Sequence, residues 1–162
     1  MALAVEVDPT VVSSFAFLLL VFEWFTALVA FSTVAAAPHS NEGPLQFVIF
    51  TGVCVWLVSA YIALIYVFTQ REENKAGILN LPLETWMKAE FVYFALFSFF
   101  SFVSFICAAA HTHGNSNIKA GAAFMFFNML AMIGSAIMSN EEIKQQQANE
   151  ANSTYIGVNP SA

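Results

Sequence analysis

Residues 11–37, VVSSFAFLLLVFEWFTALVAFSTVAAA, decide the fold class of this chain, because Glu23 is the one charged residue among them. A helix needs about 20 mostly apolar residues to cross the hydrocarbon core of a bilayer. The segment is therefore predicted to be a membrane-spanning helix. It lacks a basic start and a small-residue cleavage site after a short apolar run, so we expect it to remain in the mature protein rather than act as a cleaved signal peptide.

Three further segments have the same character, at about residues 45–69, 83–110 and 118–139. Of the 162 residues, 59% are apolar and 10% are charged, whereas a soluble domain is about half apolar and about a quarter charged. This composition excludes a soluble globular domain. It also excludes a disordered chain, which needs few apolar residues and many charges. The sequence predicts an all-α integral membrane protein, a four-helix bundle with short loops.

The chain is predicted to have three regions: a short N-terminus at 1–9, a transmembrane domain at 10–139, and a polar, largely disordered tail at 140–162. Basic residues flank membrane spans mainly on the cytosolic side. Four of the five basic residues lie on the side of the termini and the middle loop, namely Arg71, Lys75, Lys88 and Lys144. Both termini are therefore predicted to be cytosolic, where the glycosylation pattern Asn152-Ser153-Thr154 would stay unmodified.

Two polar residues lie near mid-membrane in the predicted spans, Glu23 in the first helix and Asn128 in the fourth. An ionised carboxylate at that depth costs several kcal/mol unless it is paired, hydrated or protonated, so Glu23 must face the bundle. It is either a proton or cation site or a hydrogen-bonded residue that fixes helix packing. Antiparallel packing of the first and last helices would let Glu23 and Asn128 bond. Lys88 and Glu90 lie nearer a helix end and are predicted to reach the interface.

Small, weakly polar residues form a stripe on each of the last two helices. The third helix carries Ser98, Ser101 and Ser104 at spacings of three, and the fourth carries Ala131 and Ser135 at a spacing of four. Small residues let helices approach closely in lipid. The stripes are predicted to pack within the bundle, and self-association through the same faces is the alternative.

The sequence contains no pattern that indicates catalysis or a cofactor. We find no nucleophile–base pattern, phosphate-binding loop or metal signature. The net charge of −6 argues against a nucleic-acid partner, because phosphate backbones repel an acidic protein. His39, His111 and His113 fall on the outer side, but their spacing matches no zinc signature. They are predicted to be surface loop residues, and the protein is predicted to be no enzyme.

The tail contains Tyr155-Ile156-Gly157-Val158. A tyrosine followed by two free positions and a bulky apolar residue resembles the endocytic sorting signal that clathrin adaptors read. Such a peptide docks as an extended strand, with two side chains in pockets. Tyr155 and Val158 are therefore predicted to be a sorting signal.

Three local features resemble the MARVEL family of tetraspanning membrane proteins, most closely its MAL, plasmolipin and CKLF-like branch. They are Phe22-Glu23 in an aromatic first helix, Gly43-Pro44-Leu45 opening the second, and NIKAGAAF at residues 117–124 opening the fourth. The resemblance covers roughly residues 10–139. It implies four helices with tight outer loops and a non-enzymatic role in organising membrane domains, vesicle traffic or membrane apposition, often with sterol-rich lipid.

The leading hypothesis is a membrane organiser of the plasma membrane or endosomal vesicles. Its expected partners are membrane lipids, adaptor-like proteins bound by the tail, and a second copy or another membrane protein. A small proton-coupled transporter that uses Glu23 is the first alternative, because such transporters also have four short-looped helices and a glutamate flanked by aromatic residues. An accessory subunit of a larger membrane complex is the second.

Overall fold

The computed structural model describes residues 14–68, 75–76 and 81–157. Four helices follow one another: α1 (Phe15–Ala35), α2 (Gly43–Phe68), α3 (Leu83–Ala110) and α4 (Ser116–Gly157). Between α2 and α3, the two-residue strands β1 (Lys75–Ala76) and β2 (Leu81–Pro82) pair antiparallel. The fold is all-α apart from this short ladder.

Each helix contains a segment long and apolar enough to cross a membrane. These candidate spans contain 21, 24, 27 and 36 residues in α1 to α4. At 1.5 Å per residue, α1 is about 32 Å long, which is close to the hydrocarbon thickness of roughly 30 Å. The candidate spans of α3 and α4 are longer than this thickness requires. The predicted four-helix membrane bundle is confirmed.

Side-chain hydrogen bonds mark the starts of two helices. The Phe17 N–H donates to the Ser14 hydroxyl over 3.2 Å, which makes Ser14 the N-cap of α1. The sequence also predicts an N-cap at Asp8 with Pro9 in the first turn, and these two residues lie outside the described part of the chain. The Asn117 N–H donates to the Asn115 side chain over 2.8 Å at the start of α4. Just before it, Gly114 has a φ of 77°, a left-handed conformation that glycine adopts without strain.

Successive helices run antiparallel and form a ring in which α1 packs on α2 and α4, and α3 packs on the same two helices. Aromatic pairs mark three of the interfaces, with ring centroids 6.4, 6.1 and 5.4 Å apart in Trp24–Trp56, Phe47–Phe100 and Phe105–Phe126. Both short connections, 36–42 and 111–115, lie at one end, called here the loop end. The opposite end, where α1 begins and α4 extends beyond the bundle, is called the tail end.

The described core contains three apolar clusters, two large ones that follow each other along the bundle axis and a small one of Ile65 and Trp86. The loop-end cluster contains Val34, Leu45, Val48, Ile118 and Met125, all fully buried. The second cluster lies nearer the tail end and includes Leu20, Val55, Ile62, Phe94 and Met132. Polar side chains lie between and beside these clusters, so the candidate site is enclosed by apolar packing at the loop end.

The outer surface of the spans is rich in phenylalanine. Eight of the large apolar side chains exposed among the described residues are phenylalanines: Phe15, Phe22, Phe25, Phe50, Phe99, Phe102, Phe126 and Phe127. In water, such a surface would mark a large interaction site. On helices of spanning length it is the expected lipid-facing surface.

The tail differs from its prediction, because α4 continues as one helix to Gly157 where the sequence predicted a largely disordered tail from 140. Residues 140–156 contain neither proline nor glycine and are rich in the strong helix formers Glu, Gln, Lys and Ala. Two local pairs add support: Lys144 donates to Glu141 over 2.7 Å, and Gln146 donates to Glu150 over 3.1 Å. Residues 158–162 lie outside the described part of the chain.

Candidate functional site in the bundle core

Glu23 lies at the centre of a buried polar network, with none of its surface exposed. The Ser135 hydroxyl on α4 donates to Glu23 Oε1 over 2.5 Å. The other carboxyl oxygen, Oε2, is buried and has no hydrogen-bond partner. The carboxyl group is thus held on one side and unpaired on the other. An unpaired buried polar atom normally costs about 1–3 kcal/mol, so its retention calls for an explanation.

Asn128 joins three helices through one side chain. Its Nδ2 donates to the backbone carbonyl of Glu23 over 2.9 Å and to the Thr26 hydroxyl over 3.1 Å, both on α1. Its Oδ1 accepts from the Ser101 hydroxyl on α3 over 3.0 Å. The predicted bond between Glu23 and Asn128 therefore exists, but it reaches the carbonyl of Glu23 rather than its carboxyl group.

Helical spacing explains how the network forms. Glu23 and Thr26 lie three residues apart and so share a face of α1, while Asn128 and Ser135 lie two turns apart on α4. Because α1 and α4 run antiparallel, Glu23 lies at the depth of Ser135, and Thr26 lies at the depth of Asn128. Thr26 also donates to the carbonyl of Phe22 over 2.8 Å, which satisfies a hydroxyl in an apolar segment.

The predicted small-residue stripes lie on the inner faces of their helices, with one exception. Ser101, Ser104, Ala131 and Ser135 are all buried, and the Ser104 hydroxyl has no hydrogen-bond partner. Ser98 is only half-buried and donates to the carbonyl of Ala95 in its own helix over 2.8 Å. Ser98 therefore contributes nothing to the network.

Several buried polar residues were not singled out from the sequence. Thr26, Thr51 and Ser59 are almost fully buried, and the Tyr93 hydroxyl lies 3.4 Å from both Ser59 and the carbonyl of Val55. The one available signal was the three-residue spacing from Glu23 to Thr26. Nothing in the sequence marks Thr51 as inward-facing.

Glu90 was predicted to reach the membrane interface, but its side chain is buried inside the bundle. Its Oε1 accepts the Trp86 indole N–H over 2.6 Å. The two residues lie one helical turn apart, so this hydrogen bond forms within α3 and needs no partner from another helix. Lys88, by contrast, is exposed and bonds to Glu84 as a surface ion pair.

A small cavity adjoins the network on its tail-end side. It has a volume of about 20 Å³ and is lined by Ala16, Leu20, Ile62, Tyr66, Phe94, Ser135, Met138, Ser139 and Glu142. That volume is enough for one water molecule. Ser135, which bonds to Glu23, therefore also lines a space that extends to Glu142 at the tail end.

The loop-end histidines are partly exposed, and two of them share one acidic partner. Glu42 Oε2 lies 3.1 Å from His113 Nε2, and Glu42 Oε1 lies 3.4 Å from His39 Nδ1. His111 Nδ1 lies 2.9 Å from the carbonyl of Cys107. Among the described residues, no group of three or more His, Cys, Asp or Glu side chains is placed to hold a metal ion.

The predicted sorting signal straddles the end of the described chain. Tyr155 lies in the last turn of α4, and Val158 falls just beyond the described residues. A tyrosine in a helix is not in the extended form that adaptor docking requires. Recognition of this signal would therefore require the last turn of α4 to unwind.

The four spanning helices, the polar residues that link them and the phenylalanine-rich outer surface define a tetraspanning membrane protein. The chain matches the MARVEL family, described as a membrane-associating domain, over residues 12–138, and it belongs to that family. Among curated proteins, none matches the chain. The match establishes the family, and assignment to the MAL, plasmolipin and CKLF-like branch stays a prediction.

Proposed function

We propose that this protein is a non-enzymatic membrane organiser that acts in vesicle traffic, membrane-domain organisation or membrane apposition at cell contacts. The observation that carries the proposal is the division of the molecule into a hydrogen-bonded core and a broad apolar exterior. Several polar side chains of the core are hydrogen-bonded to one another, whereas eight phenylalanines and ten other large apolar side chains are exposed among the described residues. Its interactions are therefore mainly with lipid and with other membrane proteins.

Bilayer selection is the physical mechanism of the proposal. At 1.5 Å per residue, the candidate spans of α1 and α3 correspond to about 32 and about 40 Å, and helices longer than the local hydrocarbon thickness tilt or thicken the bilayer. A bundle with these lengths is better matched to thicker membranes, such as sterol-rich plasma membrane. Clustering of copies would concentrate that preference in one membrane domain.

The tail is the proposed link to transport vesicles. With both termini cytosolic, Tyr155 and Val158 would face adaptor proteins, and the protein would cycle between the plasma membrane and endosomes. This orientation places the loop end outside the cell or in the vesicle lumen. The connections there, 36–42 and 111–115, are too short to hold a folded domain.

The test is an uptake assay in cells that compares the wild type with Tyr155→Ala, and Ser161→Ala serves as a tail variant outside the motif. We expect surface accumulation of Tyr155→Ala, normal cycling of Ser161→Ala, and no glycan at Asn152. A glycan at Asn152 would overturn the orientation and with it the sorting signal. Equal uptake of the wild type and Tyr155→Ala would contradict the trafficking role, although it would not contradict the fold.

The transporter alternative is tested by Glu23→Gln. A transporter that needs this carboxyl group would lose substrate flux while reaching the same membrane as the wild type. Under the organiser proposal, a folded Glu23→Gln protein keeps its localisation, and neither it nor the wild type transports a substrate.

A further inference from the structure

Glu23 is a buried titratable residue, and the proposed role in membrane organisation gives its carboxyl group no function. One of its oxygens accepts from Ser135 and the other has no partner, although the side chain is completely buried. We propose that Glu23 is a proton-binding site that exchanges with the aqueous phase at the tail end of the bundle, through Ser135 and the cavity beyond it. This inference concerns a site in the core and does not rest on the trafficking role.

The route follows one face of α4. Ser135, Ser139 and Glu142 are spaced by four and three residues, and all three line the cavity of about 20 Å³. A hydroxyl both donates and accepts, so Ser135 passes a proton between Glu23 and a water molecule in the cavity. Glu142 is only partly buried and marks the outer mouth of this space.

The loop end offers no equivalent route among the described residues. The apolar cluster of Val34, Leu45, Val48, Ile118 and Met125 is fully buried and closes the bundle above the network. The buried hydroxyls of Thr51 and Ser104 have no hydrogen-bond partner, so no hydrogen-bonded chain continues from the network towards the loop end, and proton exchange on that side is slow. The site therefore senses the compartment that the tail faces, and it does not connect the two sides of the membrane.

The groups around Glu23 explain why proton binding matters to packing. Ser135, Thr26 and Asn128 are neutral, and the titratable side chains of Tyr93 on α3 and Cys54 on α2 carry no charge while they are protonated. The lysines with described side chains, Lys88, Lys119 and Lys144, are all exposed. Loss of the proton therefore places a negative charge where no described cation lies close, and this weakens the contact of α1 with α4.

The experiment is infrared difference spectroscopy of the full-length protein in proteoliposomes of uniform orientation. A pH step is applied on one side, and the carboxyl C=O band is assigned to Glu23 by its absence in Glu23→Gln. We expect the band to respond to pH on the tail side. We also expect hydrogen–deuterium exchange of the carboxyl proton to slow at least tenfold in Ser135→Ala and in Ala16→Leu.

Ala16→Leu fills the cavity without removing a partner of Glu23, so it separates the route from the hydrogen bond. Ser98→Ala is the matched control, because Ser98 bonds within its own helix and should leave the exchange rate unchanged. A Glu23 band that stays constant between about pH 5 and pH 10 would overturn the proton site. A response to the loop side, or an unaltered rate in both Ala16→Leu and Ser135→Ala, would overturn the route.

Should Glu23→Gln fail to fold, the assignment comes from wild-type protein treated with a lipid-soluble carbodiimide. A protonated carboxyl group adds across a C=N bond of the reagent, and the O-acylisourea then rearranges to a stable N-acylurea that mass spectrometry locates. Modification of Glu23 that declines as the pH rises supports the proposal. The absence of modification at every pH contradicts it.

Discussion

At the scale of single residues, Asn128 connects more of the bundle than any other side chain in the network. It donates to two groups on α1 and accepts from one on α3. Interhelical hydrogen bonds in membranes contribute about 0.6–2 kcal/mol each, less than their burial suggests, because the separated helices also find partners. A residue that makes three of them still fixes the rotation of its helix.

Asn128→Ala should lower the free energy of unfolding by about 1–3 kcal/mol, because it removes all three bonds and leaves the Ser101 hydroxyl with only the weak acceptor Met132 Sδ at 4.0 Å. The measurement is detergent-induced unfolding followed by circular dichroism. Asn149→Ala removes an exposed amide from the same helix and should leave stability nearly unchanged. Equal stability of the two variants would show that the network does not hold the helices together.

The network also shows what a sequence reveals about single residues and what it does not. The depth of Glu23 and Asn128 follows from counting residues along a span, and their proximity follows from antiparallel packing. Which atoms meet depends on helix rotation. All four spans are apolar around their full circumference, so hydrophobic periodicity does not identify the inner face. This is why Thr51 and Ser59 were missed and why Glu90 was placed at the interface.

At the scale of helices, α1 approaches its neighbours most closely where they carry glycine. A Cβ at Gly52 on α2 would lie 2.7 Å from Phe31 Cβ, and one at Gly121 on α4 would collide with Val34. Phe31 Cβ is fixed to the backbone of α1, and the Cβ at Gly121 would also lie 3.2 Å from the backbone carbonyl oxygen of Ala30, so neither contact is relieved by side-chain rotation alone. Glycine at these positions allows the close backbone approach that small residues provide in membranes.

Gly121→Ala should destabilise the bundle by about 1–3 kcal/mol, because the added methyl group forces α1 and α4 apart. Thermal unfolding in detergent measures the effect. Gly43→Ala is the matched control, since a Cβ there meets nothing within 4 Å. If the two substitutions had the same effect, the tight α1–α4 contact would be contradicted.

The extension of α4 beyond the bundle competes with the proposed sorting signal. Ala151→Pro should end the helix before Tyr155, because proline clashes with the preceding turn and cannot donate its backbone hydrogen bond. We expect less helix by circular dichroism and faster uptake in the cellular assay. Ala151→Leu keeps helix propensity high and should leave uptake unchanged. Slower uptake of Ala151→Pro would mean that adaptors recognise the helical form.

The predicted end of the last helix was wrong for a physical reason. The change from apolar to polar residues near Ser139 predicts the end of the spanning helix and a largely disordered tail from 140. That change marks where a helix leaves the hydrocarbon, whereas helix propensity continues through the Glu-, Gln- and Ala-rich segment. The membrane boundary determines where the sequence of α4 becomes polar. It does not determine where the helix ends.

At the scale of the whole molecule, the ring of antiparallel helices places both short connections on one side of the membrane. Single cysteines at Ser40, Asn115 and Asn149, in a protein whose Cys54 and Cys107 are replaced by alanine, test this arrangement. The first two should react with an impermeant thiol reagent on intact cells, and the third only after permeabilisation. Reaction of all three on the same side would contradict four crossings.

The length of α4 has a mechanical consequence. The helix is continuous from Ser116 to Gly157, so the segment 140–157 acts as a lever arm about 27 Å long at 1.5 Å per residue. A change of only 10° in the angle of α4 at the membrane surface would displace the tip of that arm by about 5 Å. A small adjustment of packing around Ser135 would thus be amplified into a displacement of about 4 Å at Tyr155, outside the bilayer.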